Sequence, residues 1–117
     1  MKKLIGKTLS SYDDGNSYDG DLLVLKFTDG SILYFRHIQD CCESVYLEDI
    51  TGELSDLIGH EIKKAYHASS DAGLEYEVGE WNFYTIQTMN GDVTLRFYGS
   101  SNGYYSIAVD LDWGNDG

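Results

Sequence analysis

The chain has 117 residues, of which 42% are hydrophobic, so it is long enough to form one globular domain with a buried core. Its 20 acidic and eight basic residues give a formal net charge of −12, which disfavours direct binding to nucleic-acid phosphates or to an anionic membrane surface. No apolar run approaches the ~20 residues that span a bilayer, and none follows the basic start, so we expect neither a membrane anchor nor export.

Two β-hairpins are predicted by apolar segments that flank a turn dipeptide. The first covers residues 22–36 around Asp29-Gly30, and the second covers residues 81–98 around Asn90-Gly91. Glycine adopts positive φ angles without steric cost, so Asp-Gly and Asn-Gly favour tight turns between antiparallel strands.

The densest cluster of potential metal ligands lies between the hairpins, at His37, Asp40, Cys41, Cys42 and Glu43. Neighbouring cysteines in an extended chain point to opposite faces, so both rarely bind one ion. We therefore predict no metal site and no cofactor. The alternative is a metal-binding domain with His37 and Cys41 as ligands.

Cys41 and Cys42 are the only cysteines, and adjacent cysteines rarely bridge each other. We therefore expect no disulfide framework, a buried thiol at a structural corner, and a reducing, cytoplasmic location in a bacterial cell.

One short helix is predicted between the hairpins. Thr51 can cap it, Glu53 and Asp56 favour the positive end of its dipole, and Gly59 can end it. Three apolar residues share the face that would dock on a sheet: Leu54, Leu57 and Ile58.

The two halves of the chain have similar patterns. Residues 4–9 parallel 57–62, the two hairpins correspond, and residues 44–48 parallel 106–110. We interpret this as a duplicated four-strand unit; chance similarity between amphipathic strands is the alternative. The repeats would be residues 4–50 and 57–112.

These elements predict a single domain over residues 1–117, mainly β in an α+β sense. About eight short antiparallel strands would form a sandwich or a half-open barrel with one short helix. The loops are expected at residues 13–20, 38–43, 70–80 and 99–103.

Three motifs resemble functional sequences but lack their context. Residues 99–103 match the Gly-x-Ser-x-Gly pattern of serine hydrolases, but a strand rather than a helix is predicted after them. Residues 6–8 lack the earlier glycine of a phosphate-binding loop. Residues 110–115 begin like a calcium loop, but the twelfth-position Glu is missing. No catalytic residue is identified, and we predict that the protein is not an enzyme.

Residues 38–62 contain seven acidic residues and neither Lys nor Arg. A solvated face is the ordinary explanation. Alternate residues of a strand lie about 6.7 Å apart on one face, close to the phosphate spacing of a nucleic-acid strand, so fixed carboxylates could occupy a basic groove built for nucleic acid. The predicted partner-binding residues are Asp40, Glu43, Glu48, Asp49, Glu53, Asp56, Glu75 and Glu77.

The segment His-Ile-Gln-Asp-Cys-Cys-Glu-Ser-Val at residues 37–45 is the most specific in the chain. With residues 48–50, 52, 54, 56–59 and 101–106, it resembles an uncharacterised family of small proteins, domain of unknown function 7448, which is common in phage and prophage genomes. The family usually has Gly-Ser-Pro-Ile where this chain has Gly-His-Glu-Ile at residues 59–62. The resemblance implies a phage-type accessory protein and no catalytic activity.

The leading hypothesis is a non-enzymatic acidic interaction protein that inhibits a basic host protein, for example a defence or nucleic-acid-binding protein. The oligomeric state is left open. Besides the interaction and metal-binding hypotheses, a further alternative is a small-molecule or nucleotide-binding module whose aromatic loops provide stacking walls. Those aromatic residues are Trp81, Tyr98, Tyr104 and Tyr105.

Overall fold

The structure, a computed structural model, describes residues 1–14, 20–39, 42–73, 78–103 and 106–115. Within these residues the chain forms eight strands and two 3-10 helices. The strands are β1 (Leu9–Asp14), β2 (Asp21–Phe27), β3 (Ser31–Arg36), β4 (Ser44–Thr51), β5 (Ile62–Asp71), β6 (Val78–Thr88), β7 (Gly91–Ser101) and β8 (Asp110–Asn115). The 3-10 helices are η1 (Lys2–Leu4) and η2 (Leu54–Leu57).

The strands form two antiparallel four-stranded sheets. The first sheet has the order β1-β2-β3-β8, and the second sheet has the order β4-β7-β6-β5. Their inner faces meet at Phe35, whose ring centroid lies 5.2 Å from that of Tyr84 and 5.4 Å from that of Phe97. The mainly-β prediction with eight antiparallel strands is confirmed, and the layers form a sandwich rather than a closed barrel.

Alternation of side chains explains which face of each strand is buried. In β7, Val93, Leu95 and Phe97 are buried, whereas Arg96 and Tyr98 are only partly covered. Successive residues of a strand point to opposite faces, so the apolar set fills the sandwich and the other set forms its outer surface. The outer surface of the second sheet therefore carries arginine and aromatic side chains.

The two halves of the chain follow the same order, a 3-10 helix and then four strands, and each sheet combines three strands of one half with the last strand of the other. Gly6 N donates to Ile62 O at 2.8 Å, and Gly59 N donates to Leu9 O at 3.0 Å. Both glycines have positive φ, +90° and +82°, which other residues rarely adopt. The duplication stays a prediction, and superposition of the two halves would test it.

The predicted helix is shorter and of a different type. It is a four-residue 3-10 helix without a side-chain cap, and Thr51 ends β4 instead of capping it. Leu54 and Leu57 are buried, but Ile58 is 38% exposed. The reason is the tighter turn: a 3-10 helix aligns residues i and i+3, so the next residue rotates away from the sheet.

The predicted last strand is also displaced. It covers Asp110–Asn115 instead of residues 106–110, and the calcium-like segment is therefore extended chain on an edge of the first sheet. Three predicted loops are shorter, because β1 continues to Asp14, β5 to Asp71 and β7 to Ser101. In the described part of the chain, no helix is long and apolar enough to cross a membrane.

Candidate functional site

Glu43 does not belong to an acidic surface. Its side chain is only 3% exposed, and its Oε2 lies 2.9 Å from Nε2 of His37, which is 7% exposed. Gln39 Nε2 donates to Glu43 Oε1 at 3.2 Å. The prediction that Glu43 faces a partner is wrong, because the chain between β3 and β4 turns this carboxylate inward.

The hydrogen bonds of His37 use both ring nitrogens. Nδ1 lies 2.9 Å from the carbonyl oxygen of Ala108, and since a carbonyl only accepts, Nδ1 donates. The contact between Nε2 and Glu43 then needs one proton, carried by the imidazole or by the carboxyl group. His37 is thus a structural residue that would have to give up a hydrogen bond to bind a metal.

The described residues contain no group of three or more His, Cys, Asp or Glu side chains that could hold a metal ion. Cys41, the other candidate ligand, lies outside the described residues.

Cys42 is exposed and disulfide-bonded, so the expectation of a buried thiol is wrong. The prediction of a reducing compartment, which relied on the absence of disulfides, loses that support.

Glu48 and Asp49 surround one arginine. Arg96 Nη2 lies 2.6 Å from Glu48 Oε2 and 3.8 Å from Asp49 Oδ2, and Arg96 Nε donates to the same Glu48 oxygen at 2.8 Å. The register of β4 against β7 shifts between Leu47 and Asp49. This β-bulge lets two consecutive acidic residues approach one cation.

The remaining predicted partner-binding residues are separated or outside the described residues. Glu53 precedes η2 and Asp56 lies within it, and both are exposed, unlike the buried Glu43. Asp40, Glu75 and Glu77 lie outside the described residues. The acids that the structure describes therefore do not form one continuous row along a strand.

Three aromatic side chains form a row across the outer face of the second sheet. Tyr46 of β4 is opposite Tyr98 of β7, which is opposite Trp81 of β6. The ring centroids of Tyr46 and Tyr98 are 5.9 Å apart, and those of Tyr98 and Trp81 are 4.5 Å apart. Directly opposed residues of antiparallel strands share a face, so the register fixes this row.

The row lines a shallow groove of about 320 Å³. We call it the aromatic groove. Arg96 borders it, with its Cζ 5.3 Å from the Trp81 ring. The lining residues are Tyr46, Glu48, Ala72, Trp81 and Tyr98.

The amino-acid sequence predicts only part of this groove. Trp81 and Tyr98, the two ends of the predicted second hairpin, are predicted as stacking walls, and they lie on its strands β6 and β7. Tyr104 and Tyr105 are outside the described residues. Tyr46 was missed. Its two-residue spacing from Glu48 is the signal that could have placed both on one face of β4.

Basic side chains are concentrated at one end of the sandwich. Nζ of Lys3 and Nζ of Lys7 lie 6.0 Å and 5.4 Å from the ring of Trp113. The backbone of Lys7 accepts a hydrogen bond from Ile62 N at 2.8 Å, which brings the start of β5 to this end. Five of the eight basic residues belong to these segments: Lys2, Lys3, Lys7, Lys63 and Lys64.

The other three basic side chains lie elsewhere and have acidic partners, as Lys7 has in Asp29 and Lys63 has in Glu61. Lys26 lies 3.4 Å from Asp13, Arg36 pairs with Asp21, and Arg96 pairs with Glu48. The protein surface away from the lysine end is therefore dominated by negative charge, although its described carboxylates are not arranged in a single row.

Comparison with known proteins identifies the family. The family model described as Domain of unknown function (DUF7448) matches residues 2–111. The chain belongs to the DUF7448 family. No curated protein and no solved structure matches the chain. In this DUF7448 protein, residues 37–45 supply the buried His37–Glu43 contact and the start of β4, the strand that carries Tyr46 and Glu48.

Proposed function

We propose that this DUF7448 protein is a non-enzymatic interaction protein that binds a basic partner protein through the aromatic groove. A lysine or arginine side chain of the partner enters the groove and contacts the aromatic rings and Glu48. The observation that carries this proposal is the row of Tyr46, Tyr98 and Trp81 beside a carboxylate.

Aromatic faces attract cations because their π electrons carry negative charge, and the attraction is worth about 0.5–2 kcal/mol. Arg96 of the same protein illustrates the chemistry, since its guanidinium lies 5.3 Å from the Trp81 ring and 2.6 Å from Glu48. A cation of the partner protein in the groove would contact rings of the same aromatic row.

The charge distribution supports a basic partner. The net charge is −12, and five of the eight basic residues lie in the segments at one end of the molecule. Long-range attraction would orient a basic partner toward the negative remainder of the surface, with fast association that weakens as salt is added.

A nucleotide is a less suitable ligand for the same groove. Its phosphates would approach Glu48, and the neighbouring Arg96 is already held by Glu48 and Asp49. Stacking on Trp81 and Tyr98 alone would have to overcome this repulsion. These contacts favour the interaction protein over the nucleotide-binding alternative.

The biological part of the proposal is a phage-type accessory role inside a bacterial cell. The protein would inhibit a host defence or nucleic-acid-binding protein by covering the basic surface that normally contacts phosphates. The acidic charge supports this role, and the resemblance to a family common in phage genomes supports the setting.

The test uses a short peptide with a central arginine and the same peptide with citrulline, which has nearly the same shape without the charge. Isothermal titration calorimetry should detect the arginine peptide and lose roughly tenfold in affinity with citrulline, in line with one lost cation–π contact.

Two matched variants locate the binding. Tyr46→Ala removes a 44% exposed tyrosine from the groove, and Tyr12→Ala removes a 39% exposed tyrosine from an edge strand of the first sheet. Neither changes the charge. The proposal predicts weaker binding only for Tyr46→Ala, and equal losses in both variants would refute the groove as the binding site.

A further inference from the structure

The outer edge of β5 is a long strand without a neighbour among the described residues. β5 pairs with β6 on one side. Within the part of the chain that the structure describes, the backbone hydrogen bonds on its other side are those of Ile62 with Gly6 and Lys7. The nine residues 63–71 contain no proline, and all but Ala65 are exposed. An unpaired edge of this kind is a template for another strand.

The charges of β5 are separated along the strand. Lys63 and Lys64 stand at its start, and Asp71 stands at its end, with no charged Lys, Arg, Asp or Glu between them. Asp71 is directly opposite Glu80 of β6. Two like charges in opposed positions repel, and in the described residues no basic side chain pairs with Asp71.

We propose that two copies of this chain associate by antiparallel pairing of their β5 strands. Antiparallel pairing places the lysine end of each strand beside the acidic end of the other. A register centred on His67 pairs all nine residues and places Lys63 directly opposite Asp71 of the partner subunit, with Lys64 next to this pair along the strand. The two-fold axis then passes through His67, so both ends gain the same opposite-charge contact.

This pairing joins the two second sheets into one continuous eight-stranded sheet. Directly opposed residues keep their faces, so the aromatic grooves of both subunits lie on the same side. Strand spacing and the rise per residue separate the two Trp81 side chains by roughly 25 Å. The dimer therefore presents two cation-binding grooves on one surface, although β5 pairing does not depend on what the grooves bind.

The first experiment measures mass against concentration by analytical ultracentrifugation, together with hydrogen exchange. We expect a doubling of the mass as concentration rises, with new amide protection confined to residues 63–71. A monomer that persists at millimolar concentration, or a dimer whose protection lies elsewhere, overturns the proposal.

Charge variants test the orientation. Asp71→Lys places lysines at both ends of β5, and the double variant Lys63→Asp, Lys64→Asp places aspartates at both ends. Each variant alone should dimerise roughly tenfold more weakly, since like charges replace opposite ones at two symmetric places. An equal mixture of the two should form a heterodimer at least as readily as the native chain forms its dimer.

The matched control is Asp92→Lys, the same charge change at an exposed position of β7. It should leave dimerisation unchanged. If this control weakens dimerisation as much as Asp71→Lys, or if the mixture of variants forms no heterodimer, the antiparallel β5 register is wrong.

Discussion

The outer faces of the two sheets contain the same kinds of side chain in different arrangements. On the first sheet, the Arg36 guanidinium stacks 4.0 Å from the Tyr34 ring and pairs with Asp21 and Asp112. On the second sheet, Arg96 pairs with Glu48 and Asp49 and lies 5.3 Å from Trp81.

The difference lies in which rings remain accessible. On the first sheet, the Arg36 guanidinium stacks on the Tyr34 ring, so this ring is already occupied by a cation of the same protein. The second sheet has three adjacent rings and a single arginine at their border, which leaves an aromatic groove of about 320 Å³. Two sheets with the same strand topology therefore differ in the number of aromatic rings that stay accessible on the outer face.

The edges of the sheets differ as well. β1 has six residues and an ion pair between Asp13 and Lys26 beside it, whereas β5 has ten residues with opposite charges at its two ends. Short edges with paired charges discourage further strand pairing. Both the groove and the long edge thus belong to the second sheet.

The largest expected effect concerns the corner that connects the two sheets. Replacing the buried Glu43 by alanine removes the partner of His37, and we expect a loss of about 3–5 kcal/mol in the free energy of unfolding. Urea denaturation measures it. Glu48→Ala, which breaks an ion pair on the outer face, is the control and should lose about 1 kcal/mol or less. Equal losses in the two variants would mean that the buried His37–Glu43 contact stabilises the protein no more than the surface ion pair does.

A second prediction concerns the inner face of the second sheet at alkaline pH. Burial of the Tyr84 hydroxyl, with the nearby charges of Glu80 and Asp110, raises its pKa from 10.0 to about 12. The folded state then holds this proton more tightly than the unfolded chain does. Stability from this group is complete below pH 10.0 and is lost as the pH rises toward about 12.

The variant Tyr84→Phe keeps the ring contacts with Phe35 and Phe97 and removes the ionisable group. The thermal unfolding temperature should fall less steeply between neutral and alkaline pH in this variant than in the native protein. Parallel curves would show that Tyr84 does not contribute to the alkaline loss.

The smallest effect concerns the turn of the first hairpin. Hydrogen bonds from Lys7 and Ser31 hold the pKa of Asp29 below its ordinary value of 3.8. Because the pKa is lowered in the folded state, the carboxylate stabilises the protein above that ordinary value and loses this contribution as the pH falls. Asp29→Asn should be less stable than the native protein at neutral pH, and the two unfolding curves should converge in acid.

Lys7→Met removes the main partner of Asp29 and should give the same convergence. The turn of the second hairpin differs in this respect. There Asn90 donates a hydrogen bond to the backbone of Asp56 at 3.0 Å, and this contact involves no charged side chain. A difference between native and Asp29→Asn protein that persists in acid would contradict the ionic explanation.

The hairpins could be predicted because their information is local. Asp29-Gly30 and Asn90-Gly91 stand between alternating apolar segments, so both the turn and the strand pairing follow from a few adjacent residues. The pairings of β3 with β8 and of β4 with β7 join distant segments without a turn between them. No local pattern encodes those neighbours.

The site was only partly predictable for the same reason. Trp81 and Tyr98 were identified by their residue type, but their meeting with Tyr46 depends on the register of β4 against β7. Glu43 was expected outside because carboxylates usually are. Its inward position depends on His37, Gln39 and the bend between β3 and β4, which the acidic pattern does not indicate.

The central claim can be tested with tryptophan fluorescence, since the chain has two tryptophans and only Trp81 lines the aromatic groove. In the variant Trp113→Phe, emission reports on Trp81 alone. We predict that the arginine peptide changes this emission in a saturable, salt-sensitive way and that the citrulline peptide does so only at much higher concentration. Unchanged Trp81 emission while calorimetry still detects binding would place the partner elsewhere and contradict the account.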